Sequence, residues 1–231
     1  MPAVSTVIRV FAAAVVASLT VTGCQAVEDT GRVIGRGDLV NDLAARLDSA
    51  HELTYSAEYQ LPDGQSVSIA QSRDPVRTAY TYPGGKISVS TESIATCRTT
   101  GKPVCTVDLP PVPSNRPSVA VFTEAGKQGM VTPPVVMSLL TSAALDPDAV
   151  IEQSDTSLAG RPASCVAVSS AEVSPFTACV TVEGVLGSFT GQLDGKPTEL
   201  ALSSIRQSVD GGDFELPAGA GIVDRRPSAK G

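Results

Sequence analysis

From Asp38 to Ala50 apolar residues return on a helical period, and from Leu53 to Leu61 they return at every second position. Leu39, Leu43 and Leu47 lie four apart, flanked by Val40, Ala44 and Ala50. That spacing predicts an amphipathic helix capped by Asp38, whose apolar stripe needs a sheet to rest on. In LTYSAEYQL the residues Leu53, Tyr55, Ala57, Tyr59 and Leu61 alternate with Thr54, Ser56, Glu58 and Gln60. SVSIAQS, VRTAYTY and KISVST continue the alternation, with PDGQ, RDP and PGG between them. Turn residues at each joint predict an antiparallel meander, and the Ser, Thr and Gln positions predict one wet face.

The pattern weakens between Asp108 and Pro134. DLPPVPSNRPSV is rich in proline and predicts an extended, irregular connection. TPPVVMSLLTSAALDPD then predicts a helix, with Thr132 as its cap, Pro133 and Pro134 in its first turn, and Asp146-Pro147 as its stop. Val135, Val136, Leu139, Leu140, Ala143 and Ala144 give it a wide apolar surface. Strand-like runs return at about 150–158, 163–169, 177–183, 186–193 and 198–208, and VDGGDFELPAG is expected to close the sheet. The pattern therefore predicts an α+β fold.

The first residues change the picture of where this domain works. Arg9 is the only charge before Cys24, and Val10–Val21 is apolar or small throughout. A dozen residues is short of the roughly 20 that span a bilayer, and the layout is that of an export signal. Val21-Thr22-Gly23-Cys24 resembles the lipobox of bacterial lipoproteins, which implies cleavage after Gly23 and a diacylglycerol thioether on Cys24. Two or more acyl chains anchor a protein stably where one does not. The expected organisation is a signal peptide over 1–23, a tether over 24–37, one domain over 38–224 and a disordered tail over 225–231. The expected location is the outer face of the cytoplasmic membrane, with the acyl chains of Cys24 as the membrane contact.

Losing Arg9 with the signal takes the formal net charge from −7 to −8. A surface that acidic argues against nucleic acid, and against attraction to anionic lipid through a basic patch. With Cys24 set aside, Cys97, Cys105, Cys165 and Cys179 remain, an even number that outside the cytoplasm predicts two disulfides. Three connectivities are open. Cys97–Cys105 and Cys165–Cys179 are favoured, because each pair sits in two strand-like runs joined by a turn, and antiparallel neighbours come within bonding range. No metal or other cofactor is implied: there is no C-x-x-C, and His51 is the only histidine. Nor is there a G-x-S-x-G, an H-E-x-x-H, a Walker loop or a G-x-G-x-x-G, so the chain is expected not to be an enzyme. His51, at the end of the first helix, is expected to complement its dipole. Asp146/Asp148 and Asp210/Asp213 read as solvated turn residues.

One helix, a meander, helical cover and a second set of strands ending in Asp213-Phe214-Glu215-Leu216-Pro217 together resemble the LolA/LppX-like group of exported lipoproteins and lipoprotein carriers, and in particular its actinobacterial lipoproteins. The resemblance covers roughly residues 38–224. It implies a strongly curved antiparallel sheet, an open half-barrel, with two or three helices covering the concave face and, in several members, an acyl chain or lipid-like molecule bound there. The chain departs from such members in having no Trp and only four Tyr.

The residues support the same idea independently. Wherever helices and a curved sheet fail to meet, an apolar cavity remains, and such cavities are the usual ligand sites. Tyr55 and Tyr59 share one strand face, Tyr80 and Tyr82 another, and with Val136, Leu139 and Leu140 they form the candidate lining, the phenol hydroxyls being expected at its mouth. Two functions follow: a carrier or binder of a lipid-like or other apolar ligand, or a structural or regulatory module of the cell envelope with a filled core. A third, a hydrolase using His51, requires that histidine beside a Ser or Asp in a cleft. No motif identifies a protein partner.

Overall fold

The computed structural model describes residues 24–110, 119–171 and 174–227, with side chains described at Gly35 and from Gly37 on. The expected signal peptide (1–23), the end of the expected tail (228–231) and most of the proline-rich connection (111–118) lie outside the described residues, as does the side chain of Cys24.

Twelve strands form one curved sheet that does not close into a barrel. β1 (Tyr55–Gln60), β2 (Ser66–Arg73), β3 (Val76–Tyr82), β4 (Gly85–Ser90), β5 (Ile94–Arg98) and β6 (Val104–Asp108) make one meander. β7 (Val150–Leu158), β8 (Arg161–Ser169), β9 (Phe176–Thr181), β10 (Leu186–Leu193) and β11 (Lys196–Arg206) make a second. They join through antiparallel β1 and β11, so that the first and last long strands lie side by side in mid-sheet. β12 (Gly221–Asp224) adds at the far edge, parallel to β6. The α+β half-barrel expectation holds, and the turns of the first meander fall where Gly, Asp and Pro predicted them.

Helix α1 runs from Cys24 to Ser49. It is already helical at Cys24, so the backbone of 24–37, read as a tether, is helical and Asp38 is not a cap. No proline interrupts this stretch, and the exposed Asp42–Arg46 pair adds i,i+4 support farther along the helix. The stripe buried in the core is Val40, Leu43, Leu47 and Ala50, with Leu39 and Ala44 at its margin. The helix comes down on the β9–β10 turn: a Cβ at Gly184, whose φ is +94°, would lie 2.4 Å from the Arg46 carbonyl oxygen.

Helix α2 (Thr123–Lys127) and the 3-10 turn Ala120–Phe122 before it had no periodic signal. They bring Phe122 and Ala125 into the core, followed by Met130 and Val131. Helix α3 (Pro133–Leu145) has the predicted bounds. Thr132 has cap geometry but makes no cap hydrogen bond; its hydroxyl is buried without a partner. The apolar face of α3 is narrower than expected: Pro133, Val136, Leu140 and Ala143 are buried, while Ala144 and Leu145 are exposed.

The back of the sheet departs most from expectation. Ser56, Ala70, Ala79, Ser88, Ala95 and Val107 stand in register across β1–β6. They form a row of small side chains on the face opposite the tyrosines. The centre of this face is not wet, while Glu58, Gln60, Ser66 and Thr81 on the same face are exposed as expected. After β11 the chain makes a 3-10 turn, Gly211–Phe214, closed by a reciprocal capping box of Asp210 and Asp213. It then crosses the back of the first meander: Phe214 lies under the Arg77 guanidinium, and Lys86 donates to the Glu215 carbonyl at 2.6 Å. DFELP is therefore a strap across the sheet, and the closing strand is β12.

Candidate functional site

The inner face shows how the candidate lining residues are used. In β1 and β3 the period of two puts Tyr55, Tyr59, Tyr80 and Tyr82 on the helix-covered face, as expected. All four belong to one continuous core with Val136 and Leu140; Tyr59, Val136 and Leu140 are 0 % exposed. Tyr80 meets the Phe122 ring edge-on, centroids 5.2 Å apart at 74°. The unanticipated 3-10 turn is thus what closes the sheet over this tyrosine.

Burial raises the Tyr55, Tyr59 and Tyr80 phenols well above their ordinary value, with the neighbouring phenols adding to the effect on Tyr59 and Tyr80. The expected placement of hydroxyls at a cavity mouth fails for Tyr59, whose Oη is buried with no partner among the described residues. Tyr55, Tyr59 and Tyr80 are buried in the core, and Tyr80 packs on a side chain from the helical cover.

Two of the seven candidate residues do reach open space. Tyr82 lies at the rim of a groove of about 650 Å³, also lined by Thr96, Arg98, Thr106, Glu124 and Gln128. A Cβ at Gly85 would fall 2.3 Å from the Tyr82 ring, which accounts for the second glycine of the PGG turn. Burial, and then the Glu124 carboxylate, raise the Tyr82 phenol. The groove opens where β5 and β6 run past the helical cover and the inner face turns from Tyr and Ile to Thr. Leu139 lines a smaller mouth of about 250 Å³ with Phe122, Met130, Val135 and Leu193. No tyrosine lines that mouth.

The four cysteines pair as favoured. Cys97 and Cys105 are directly opposed on β5 and β6, Cα atoms 4.0 Å apart; Cys165 and Cys179 are opposed on β8 and β9, at 3.9 Å. Both bonds lie on the outer face. His51 sits in the exposed 3-10 turn Ala50–Glu52, where its ring bonds the Asp48 carbonyl; no Ser or Asp side chain is hydrogen-bonded to it among the described residues. Asp146 receives the Asp148 amide and the Ser170 hydroxyl, which makes it a turn residue. Among the described residues no group of three or more His, Cys, Asp or Glu side chains is arranged to hold a metal.

The chain matches no protein-family model and no curated protein. Its similarity is to solved structures. MucB aligns over 78 % of this chain and 63 % of its own, at 14 % identity and a TM-score of 0.50. An uncharacterized conserved protein from Thermus thermophilus aligns over 80 % and 98 %, at 10 % identity and 0.47. PNGF-II aligns over 76 % and 32 %, at 9 % and 0.40. At such identities only the MucB likeness bears on the argument, and it speaks to the fold alone.

Proposed function

We propose that the protein is a non-catalytic binding module held at the outer face of the cytoplasmic membrane by acyl chains on Cys24, and that it engages another component of the envelope at its surface. The observation that carries this reading is the filled core. Most of the residues best suited to line a lipid cavity are spent on packing, and the 650 Å³ groove sets Thr96, Thr106, Gln128, Arg98 and Glu124 beside Pro83 and Val104. Charged and amide groups in such a wall favour a partner with polar groups over a bare acyl chain. Two disulfides support an oxidising compartment, and the lipobox-like Val21-Thr22-Gly23-Cys24 supports the anchor.

The lipid-carrying reading rests on the resemblance to the LolA/LppX-like group and on the apolar mouth beside Leu139. Native mass spectrometry of the chain from residue 24 on, bearing Cys24→Ala and purified without detergent, separates the two. A bare polypeptide mass is expected, and a retained lipid would overturn the surface reading in favour of the carrier. In cells the same substitution in the full chain is expected to move the protein from the membrane to the soluble fraction; persistence in the membrane would remove the anchor.

A further inference from the structure

The strap that crosses the back of the first meander does not lie flush. Between it and β3–β6 is a cleft of about 350 Å³, walled by Val107, Phe214 and Leu216 and floored by Arg77, Ser88 and Ala95. Arg77 on β3 opposes Ser90 on β4, and Ser88 opposes Ala79, so Arg77 and Ser88 are diagonal neighbours on one face.

The two floor residues are chemically incomplete. Arg77 Nε and Ser88 Oγ are buried without a hydrogen-bond partner among the described residues. The Arg77 side chain makes no hydrogen bond or ion pair among the described residues; its only specific contact is the Phe214 ring, with Cζ 3.9 Å from the centroid. Arg46, Arg161, Arg206 and Arg226, by contrast, each pair with a carboxylate. Arg226 also lines the cleft, but Asp224 takes its charge at 2.7 Å. Ser90, a further lining residue, is engaged with Ser93 across the β4–β5 turn. The unmet demand thus falls on one permanent cation and one hydroxyl, side by side under an aromatic roof. A buried donor without an acceptor is destabilising, and more so where it is charged. A guanidinium cannot shed its proton to escape that cost, and its fork matches a carboxylate.

We propose that this cleft binds a small organic carboxylate, its anionic end on Arg77 and Ser88 and its apolar part against Val107, Phe214 and Leu216. The volume suits an acid the size of benzoate. The inference does not depend on what the groove on the inner face binds.

The test is a titration of the disulfide-bonded protein with sodium benzoate, and with neutral benzamide as its isostere, followed by the Arg77 Nε–H resonance and by calorimetry. Saturable benzoate binding is expected, with benzamide at least about tenfold weaker, since a hydrogen bond to a charged group carries that much discrimination. Arg77→Met, which keeps the stem against Phe214, is expected to weaken benzoate about tenfold or more. Ser88→Ala, a change of one small side chain for another, is expected to weaken it about threefold with thermal stability unchanged or slightly raised. Three results would overturn the assignment: no saturable binding by about 20 mM benzoate, equal binding of benzamide, or full affinity in Arg77→Met. Competition by inorganic phosphate as strong as benzoate's own binding would overturn the carboxylate class.

Discussion

Strands β1–β6 and strands β7–β11 are both antiparallel meanders, each stapled by one cross-strand disulfide on its outer face, and each gives its inner face to the same core. Their chemistry differs on both faces. All four tyrosines of the chain lie in the first meander, whereas the second packs on Phe176 and Phe189, stacked 5.9 Å apart. The outer row of the first meander is small, and at Ser88, Ala95 and Val107 it faces the 211–226 strap; the second keeps Thr190, Glu199 and Ser203 in water, and its edge strand β7 is exposed along most of its length. Small outer residues allow a second layer to lie close, while branched and charged ones hold it off. The first meander is therefore a three-layered region within a largely two-layered molecule.

The tyrosine asymmetry gives the largest expected effect. A phenol whose folded pKa stands above its unfolded value keeps its proton in the native state after the unfolded chain has lost it. The stability it lends is complete below about pH 10 and is lost as pH rises beyond. Each such group costs up to about 1.4 kcal/mol per pH unit above that point, so Tyr55, Tyr59 and Tyr80 together reach about 4 kcal/mol per unit. Urea midpoints measured from pH 8 to 11.5 should be level at first and then fall steeply, and Tyr80→Phe should take about a third off the slope. A profile flat to pH 11.5 would mean that the phenols reach solvent and that the first meander is not the drier half.

The two disulfides set the halves against each other directly. Closing loops whose ends are separated by 8 and 14 positions is worth by chain entropy about 2.5 and 3 kcal/mol. Replacing each pair by alanine should lower the urea-derived stability by nearly equal amounts, slightly more for Cys165/Cys179. The distinction lies in where the structure loosens. β6 holds β12 on its free side, so loss of Cys97–Cys105 should speed amide exchange in Gly221–Asp224, and loss of Cys165–Cys179 should leave those amides unchanged. Equal exchange in both variants would show that the edge is held by the strap rather than by the staple.

The strands, the disulfide pairing and α3 were legible because each is a local signal: a period of two, cysteines flanking a turn, and Thr-Pro-Pro before an apolar run. Three features were not. The turn carrying Phe122, with α2 after it, is too short to show a period, and only its contact with Tyr80 gives it a place. The row Ser56–Ala70–Ala79–Ser88–Ala95–Val107 is invisible along the chain, because its members come from six strands and the alternation that reveals them looks the same whether the polar face meets water or a strap. The candidate lining residues lie on the expected face, where most of them are packed into the core. Sequence spacing says that Tyr55, Tyr59, Tyr80 and Tyr82 point inward, but not how closely the helical cover approaches them. That approach depends on Phe122 and Leu140, from elsewhere in the chain. Arg77 carried no signal, since an arginine in an alternating strand reads as solvated.

The smallest expected effect is also the sharpest probe of the difference between the halves. Tyr59 differs from a phenylalanine by one oxygen, and that oxygen is buried without a partner among the described residues. Tyr59→Phe converts this position to the chemistry the second meander uses at Phe189, with the ring and its packing kept. Since no hydrogen bond is lost and a desolvated hydroxyl is removed, stability at pH 7 should hold or rise by up to about 1 kcal/mol. Above pH 10 the gain should widen, because one ionisation of the unfolded chain is abolished. A loss of more than about 1 kcal/mol at pH 7 would show that the hydroxyl is satisfied in solution. The tyrosine face would then be a hydrated seam between sheet and helices, the setting a polar ligand on the inner face would require, instead of the dry packing that turns the proposed function toward the surface.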